Sequence, residues 1–373
     1  MNPFSISSHS KDKFCNRVQE IATLKKYMRD GINVVVYAPR RFGKSSLAKV
    51  VQADLPDMDN IYVDLFSVTS IDEVAALLYY EIANSLGKTA AQQTTLLQRL
   101  GEFFSRVRFS LSYDSQGQSP TIDVSLGAAS PDICIKEVIE SLDAFCKKNN
   151  RRACIVLDEF QEICELKESK QIEAFLRGGM QKAEWVSFIF MGSRRTILRD
   201  MFENKKRPFY KSTISFELPG MQRDVFAGFI ANSFELNGHP IESTLAEEIV
   251  SFTSGYPYYT QKLALLYFDA IESGNYDLEQ AKNELIRSES SDCENIYVNL
   301  STNQKKLLKA IARNPSANLY ASEYLRANHL GAASSVKAAF ERLKQLDLIE
   351  LRNDLWQTVD PIMGKWCRMQ HAL

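Results

Sequence analysis

No two of the seven cysteines in this 373-residue chain stand in a CxxC pair, and their scattered positions, 15, 134, 146, 154, 164, 293 and 367, exclude a zinc ribbon and suit reduced thiols. No stretch of about 18 apolar residues occurs, so no membrane span is expected. The first residues, MNPFSISSHSKDKF, carry no apolar run and no cleavage pattern, so no leader is expected either and the chain reads as cytoplasmic. Charge of one sign is also lacking. Lys plus Arg number 45 against 46 Asp plus Glu, a net charge of -1, so binding to nucleic acid or anionic lipid would need a local patch. Repeats and low-complexity tracts are missing too.

What is there is ordinary globular composition, 45% hydrophobic and 24% charged, long enough for two or three domains. Short apolar runs alternate with helix-period segments. Ile32–Tyr37, Ile61–Leu65, Ala153–Leu157, Val186–Met191 and Ile214–Leu218 read as strands. Helices are expected at Ser45–Ala53 and about Ile71–Leu86. Continuous apolar strands separated by helices predict an α/β fold whose parallel sheet is covered on both faces. One segment breaks the rhythm: Val107, Phe109, Leu111 and Tyr113, then Ile122, Val124 and Leu126, alternate with polar residues around a turn-rich DSQGQSP. That period of two predicts a β-hairpin insert at about 105–127.

Beyond about Met221 the strands stop and residues to 298 read as a helical lid. From about 299 a different order appears. Helices at Gln304–Ala312, Ser322–Ala327 and Ala332–Leu346 precede two β-like runs, Leu348–Leu351 and Leu355–Val359, with Arg352 at the wing tip. Three helices and a ribbon predict a winged helix-turn-helix domain. Three domains follow: a P-loop core at 1–220, the lid at 221–298 and the winged helix at 299–373.

Residues Tyr37–Leu47 read YAPRRFGKSSL, which fits [AG]-x-x-x-x-G-K-S after a strand and before a helix. Such a loop wraps phosphates with backbone N–H groups. Gly43 permits the unusual dihedrals, and the helix N-terminus favours an anion. Lys44 is placed for the β and γ phosphates and Ser45 for magnesium. Ala38, Pro39, Arg40, Arg41, Phe42 and Ser46 complete the loop. A chance Gly/Ser turn would not need strand, loop and helix in register.

Cys154–Glu162, CIVLDEFQE, ends a buried strand in Asp158 and Glu159, at the sheet edge where α/β proteins bind ligands. Asp158 is assigned to magnesium and Glu159 to activating the attacking water. Ser193 and Arg194, after the fourth strand, are candidate γ-phosphate sensors, while Arg195 reads as a solvated helix start. Arg207 is open to two readings, a local ion pair or an arginine finger toward a neighbouring copy, and a homo-oligomer would supply that neighbour.

These residues resemble the archaeal-type ATPases, a group in the STAND branch of AAA-related P-loop NTPases, over most of the chain. Phe14-Cys15-Asn16-Arg17, with Glu20 and Leu24, resembles the family's N-terminal segment near the adenine. Ala38–Ser46 resembles its P-loop, although glycine is commoner where Ala38 stands. Leu157–Gln161 resembles its acidic strand end, Gly192-Ser193 its sensor strand, and Arg207–Thr213 with Phe216–Pro219 its approach to the lid. Gly255-Tyr256-Pro257-Tyr258-Tyr259 resembles its lid motif, which implies Pro257 beside the base. Asp360-Pro361 and Trp366 resemble the end of its winged helix. The resemblance implies ATP, magnesium and a nucleotide-driven switch.

Two functions follow. One is an ATP-hydrolysing switch. The other is a DNA-binding regulator whose nucleotide site is mainly structural. Over residues 301–373 there are eleven Lys and Arg against six Asp and Glu, a modest excess that suits DNA or an acidic protein partner. A small-molecule kinase finds no support, because no second Gly-rich loop is present.

Overall fold

A computed structural model describes residues 2–5, 15, 17–89, 107–113, 120–126 and 131–370. Phe14 and Asn16 lie outside the described residues. The central sheet has five parallel strands in the order β2-β5-β6-β1-β7. These are β1 (Val34–Tyr37), β2 (Asp59–Asp64), β5 (Ala153–Asp158), β6 (Val186–Gly192) and β7 (Ile214–Glu217). Between β2 and β5, β3 (Val107–Tyr113) and β4 (Pro120–Leu126) pair antiparallel as the expected hairpin.

Successive strand side chains point to opposite faces, so each strand feeds two cores. Val34, Val36, Cys154, Val156, Ile189 and Met191 face one core; Val35, Tyr37, Ile155, Leu157, Phe188 and Phe190 face the other. Helices α1 (Val18–Arg29) and α2 (Lys44–Ala53) cover the first face; α3 (Ile71–Thr89), α4 (Pro131–Lys148), α5 (Ser169–Lys182) and α6 (Arg195–Glu203) cover the second. The strand β7 departs from expectation. Three of its four residues are exposed, whereas half of the other edge strand, β2, is buried, so the difference lies in how far helices cover the faces of β7. Its apolar ISF run is not covered on both faces.

Five helices follow, α7 (Arg223–Leu236), α8 (Ser243–Phe252), α9 (Pro257–Glu272), α10 (Leu278–Ser288) and α11 (Ser290–Val298). A capping box of Ser301 and Gln304 starts α12 (Thr302–Arg313), so the backbone donors of this helix start are satisfied locally. Next come α13 (Ser322–Ala327), α14 (Ala333–Gln345), β8 (Ile349–Arg352), β9 (Leu355–Thr358) and α15 (Pro361–Met369). The two strands pair antiparallel through Asn353-Asp354, both with positive φ as a tight two-residue turn requires. This is a winged helix. The first core runs from the sheet through Tyr259 and Leu263 of the lid to Leu308, Leu343 and Ile362, so the lid and winged helix are packed onto the sheet.

Candidate functional site

Strand β1 ends at the C-terminal edge of the sheet and α2 starts seven residues later. Gly43 between them has φ +85, and a Cβ there would meet nothing within 4 Å. Glycine is therefore required by the backbone angle, not by crowding, and the open space lies where an anion would approach. Lys44 is buried and donates to the carbonyls of Ala38 at 3.0 Å and Pro39 at 3.1 Å. Burial holds its ammonium below the usual value, against the pull of Glu159 and Asp158.

Strand β5 delivers the acidic pair. Asp158, 3% exposed, accepts from Ser45 Oγ at 2.6 Å and from the Tyr62 hydroxyl. Burial, then Asp158, raises the Tyr62 hydroxyl well above its usual value, so it remains a donor. Glu159 adopts the left-handed conformation, φ 49 and ψ 41, which is uncommon for a residue with a side chain. The residue after it explains how the bend is held. Phe160 is fully buried among Phe190, Phe202 and Phe209, with ring centroids 4.7 to 6.0 Å apart. Such an anchor is worth about 3–5 kcal/mol against truncation. The Glu159 carboxylate accepts from Ser193 Oγ at 3.0 Å and from Gln161 Nε2 at 2.5 Å. Gln161 is itself buried, and a Cβ at Gly192 would collide with its amide oxygen.

The cleft above the loop is lined by Arg40–Ser46 and Glu159 on one side. Its other walls are Ser5, Cys15 and Arg17, then Met221, Phe226, Pro257, Tyr258 and Gln261 from the lid. Ala38 and Pro39 lie beneath it and contribute their carbonyls to Lys44. Arg17, 3% exposed, donates to Pro219 O at 2.5 Å, and its second terminal nitrogen is buried with no hydrogen-bond partner among the described residues. Burial pushes the Cys15 thiol up to about 12, so it sits in the wall as a neutral group. Asn16 lies outside the described residues.

Several side chains go elsewhere than sequence reasoning placed them. Arg41 has φ 66 and lines the cleft, but its guanidinium is engaged by Glu289 at 2.5 Å, by Asp292 and by Tyr259, stacking on the rings of Tyr258 and Tyr259. Tyr259 in turn donates to Asp360 Oδ2 at 2.5 Å in the winged helix. Arg194 pairs with Glu165 at 2.7 Å on the surface, while Ser193 reaches Glu159. Arg195, expected on a solvated helix start, is only 13% exposed and binds Asp347 and Glu350 of the winged helix at 3.2 and 2.8 Å. Arg207 pairs locally, with buried Glu173 at 2.9 Å and the Cys164 thiol at 3.1 Å. Arg352 follows the ribbon to its end but folds back on Glu350, leaving Asn353 and Asp354 at the tip. Sequence reasoning misses Tyr62 and the carboxylates that hold Arg41, and it names Gln161 within the acidic motif without giving it a role. Gln161 stands in the CIVLDEFQE run itself, whereas the others belong to segments distant in sequence.

A family model described as an ATPase domain predominantly from Archaea matches residues 14–263, and one described as a probable winged helix domain matches residues 292–369. No curated protein sequence matches. Among solved structures, a Walker-type ATPase of Pyrococcus abyssi superposes with a TM-score of 0.69 at 17% identity, over 97% of this chain and 98% of that chain. The ORC2 protein of Aeropyrum pernix, solved as ADPNP-ADP complexes, gives 0.56 at 14% identity over 96% of each. At these identities the likeness is one of fold. Among the described residues no helix is long and apolar enough to cross a membrane.

Proposed function

This chain belongs to the family of ATPase domains found predominantly in Archaea and ends in a winged helix domain, and we propose that it binds and hydrolyses ATP with magnesium and uses the nucleotide to set how its winged helix is held. The observation that carries this reading is the 2.6 Å contact between Ser45 Oγ and Asp158 Oδ2, directly beside Gly43 and Lys44 at the C-terminal edge of the sheet. A hydroxyl and a carboxylate brought together there are hard oxygen donors of the kind magnesium takes. Among the described residues no group of three or more His, Cys, Asp or Glu could hold a metal. Substrate phosphates and water would complete the coordination around Ser45 and Asp158.

The loop N–H groups from Arg40 to Ser46 would cradle the phosphates, with Lys44 as the cation facing β and γ. Magnesium, when bound, neutralises charge on the phosphate oxygens. Glu159, held by Ser193 and Gln161, accepts the proton of the attacking water. Ser193 thereby links the sensor strand to the base. Arg17, with a buried donor that has no partner among the described residues, and Pro257 and Tyr258 of the lid form the wall for base and ribose. The Aeropyrum neighbour was solved as ADPNP-ADP complexes, which supports an adenine nucleotide as the ligand of this fold. The switch reading is supported by two connections to the winged helix, Arg41–Tyr259–Asp360 from the loop and Arg195–Asp347 from the sensor strand. The test is calorimetric titration of ATP with and without magnesium, followed by turnover. No binding to the intact chain, or binding unchanged in Lys44→Ala, would overturn the assignment.

A second reading makes DNA the partner of the winged helix. It is favoured by α14, whose Val336, Phe340 and Leu343 are buried while Lys337 and Arg342 stand exposed on the two flanks of that stripe.

A further inference from the structure

Where the lid meets the winged helix, away from the nucleotide cleft, a second concavity is built from the turn before α9, the end of α12, the β8–β9 ribbon and α15. Its polar lining is Ser254, Arg352, Gln357, Thr358, Lys365 and Arg368, with no carboxylate among the lining residues. The three cations are placed by separate contacts. Arg352 is anchored by Glu350. Arg368 donates through Nε to Ala312 O at 2.6 Å, a neutral acceptor that fixes the guanidinium plane and leaves its charge uncompensated. Lys365 Nζ sits 4.3 Å from the centroid of the Phe252 ring, and among the described residues no carboxylate pairs with it. Its charged neighbours are Arg368 and Lys282, both of like sign. Lys282 is itself neutralised by Glu248 and Glu279 at 2.5 Å each.

Like charges gathered in a half-buried concavity repel one another, and an anion between them reverses the sign of that interaction. The neutral groups point to the same ligand chemistry. Gln357 and Thr358 supply an amide and a hydroxyl donor, and a Cβ at Gly364 would collide with the Thr358 hydroxyl, so glycine there preserves its place. Planar guanidinium groups with an ammonium and neutral donors match a tetrahedral, doubly charged oxyanion better than a single carboxylate. We propose that Arg352, Lys365 and Arg368, with Gln357 and Thr358, form a site for one phosphate group, presented as free phosphate or as a backbone phosphate of nucleic acid. The site bridges lid and winged helix, so an occupant would clamp the two together. It does not depend on the nucleotide assignment, because the two clefts share no residue.

Burial, with Arg368 and Lys282 nearby, lowers the Lys365 amine from its usual value, which increases its reactivity toward acylating reagents near neutral pH. The experiment is competitive acetylation of the full chain carrying Lys44→Ala, to silence the P-loop, with Lys365 read by peptide mass spectrometry and exposed Lys170 as control. Millimolar inorganic phosphate should slow Lys365 labelling several-fold without affecting Lys170. A short DNA duplex forms the second arm. Protection by inorganic phosphate assigns the site to the free ion, and protection by duplex alone assigns it to a nucleic-acid backbone. Protection by neither overturns the proposal. Arg352→Gln with Arg368→Gln should raise the half-protecting concentration by about tenfold or more, the loss of at least one charge-assisted hydrogen bond. Unchanged protection in that variant would also overturn it.

Discussion

Arg195 reaches from the first turn of α6 to Asp347 at the end of α14, with Nε 3.2 Å from Oδ2 and its own backbone N–H donating to the same oxygen at 3.0 Å. A third interaction, with Glu350 at 2.8 Å, makes this arginine the tie between the C-terminal end of β6 and the winged helix. All three side chains are 13–14% exposed, so their charges are only partly screened by water.

Removing that tie should free the winged helix without emptying the nucleotide cleft. Arg195→Ala leaves Asp347 without its cation and Glu350 with Arg352 alone, a cost of about 2 kcal/mol. The expected outcome is faster limited proteolysis around residues 299–301 and a larger radius of gyration by solution scattering, with ATP affinity changed by less than about threefold. A variant as compact and protease-resistant as the parent would mean that the apolar core alone holds the domain.

Lys44→Ala should abolish tight ATP binding measured by calorimetry. The buried ammonium is held beside the loop by the carbonyls of Ala38 and Pro39, placed to meet the phosphates. Glu159→Gln should retain ATP affinity and lower turnover by at least about 100-fold, because the amide keeps the shape and loses the base. Parent-rate hydrolysis in that variant would remove Glu159 from the chemistry.

A subtler variant tests the network behind Glu159. In Gly192→Ala the new methyl collides with the Gln161 amide, the far end of a flexible side chain, so the fold should survive. The amide must then move away from the Glu159 carboxylate it holds at 2.5 Å. Turnover should fall about tenfold with KM nearly unchanged, the pattern of an interaction that acts on the reacting state. An equal loss in both parameters would point to a distorted cleft.

The legible part of this molecule is the part written in consecutive residues. Strand, Gly-Lys-Ser loop and helix occupy one stretch, so their order could be read from the sequence, as could the strand ending in Asp158-Glu159. Arg41 could not be placed, because its carboxylates, Glu289 and Asp292, stand some 250 residues away and nothing local marks them. Arg194 and Arg195 show the same limit at closer range. They are adjacent and chemically alike, and the first turn of α6 decides which reaches the winged helix and which pairs with Glu165 on the surface. The edge position of β7 was hidden because an apolar ISF run looks the same whether one or two neighbours flank it.

Buried Glu173 predicts a pH effect on stability. Burial raises its carboxyl from 4.5 to about 7, against the opposing pull of Arg207. Between those pH values the folded chain holds a proton that the unfolded chain has released, so stability falls as pH rises through the window. At about 1.4 kcal/mol per pH unit, the window corresponds to about 3 kcal/mol. Denaturant midpoints from pH 5 to 8 should therefore decline in the parent more than in Glu173→Gln, which has no proton to lose. Parallel curves would show that Glu173 is ionised throughout, paired with Arg207.

The DNA reading is tested on α14. Lys337 and Arg342 are exposed on the two flanks of the buried stripe Val336, Phe340 and Leu343, whereas Lys344 lies at the docked end, where its carbonyl accepts from Thr196 at 3.4 Å. Arg352 is left out of this charge reversal because its contact with Glu350 turns it back from the wing tip. Charge reversal at Lys337 and Arg342 should weaken DNA binding and reduce the slope of log affinity against log salt by about 2, close to one unit for each phosphate no longer neutralised. ATP affinity should remain at the parent value, since α14 contributes nothing to the lining of the nucleotide cleft. Arg195→Ala should act in the opposite direction and strengthen DNA binding, because it releases the C-terminal end of the same helix. If the parent and Arg195→Ala both lack DNA affinity at low salt, with and without ATP, α14 is a protein-docking face and its basic residues meet an acidic partner.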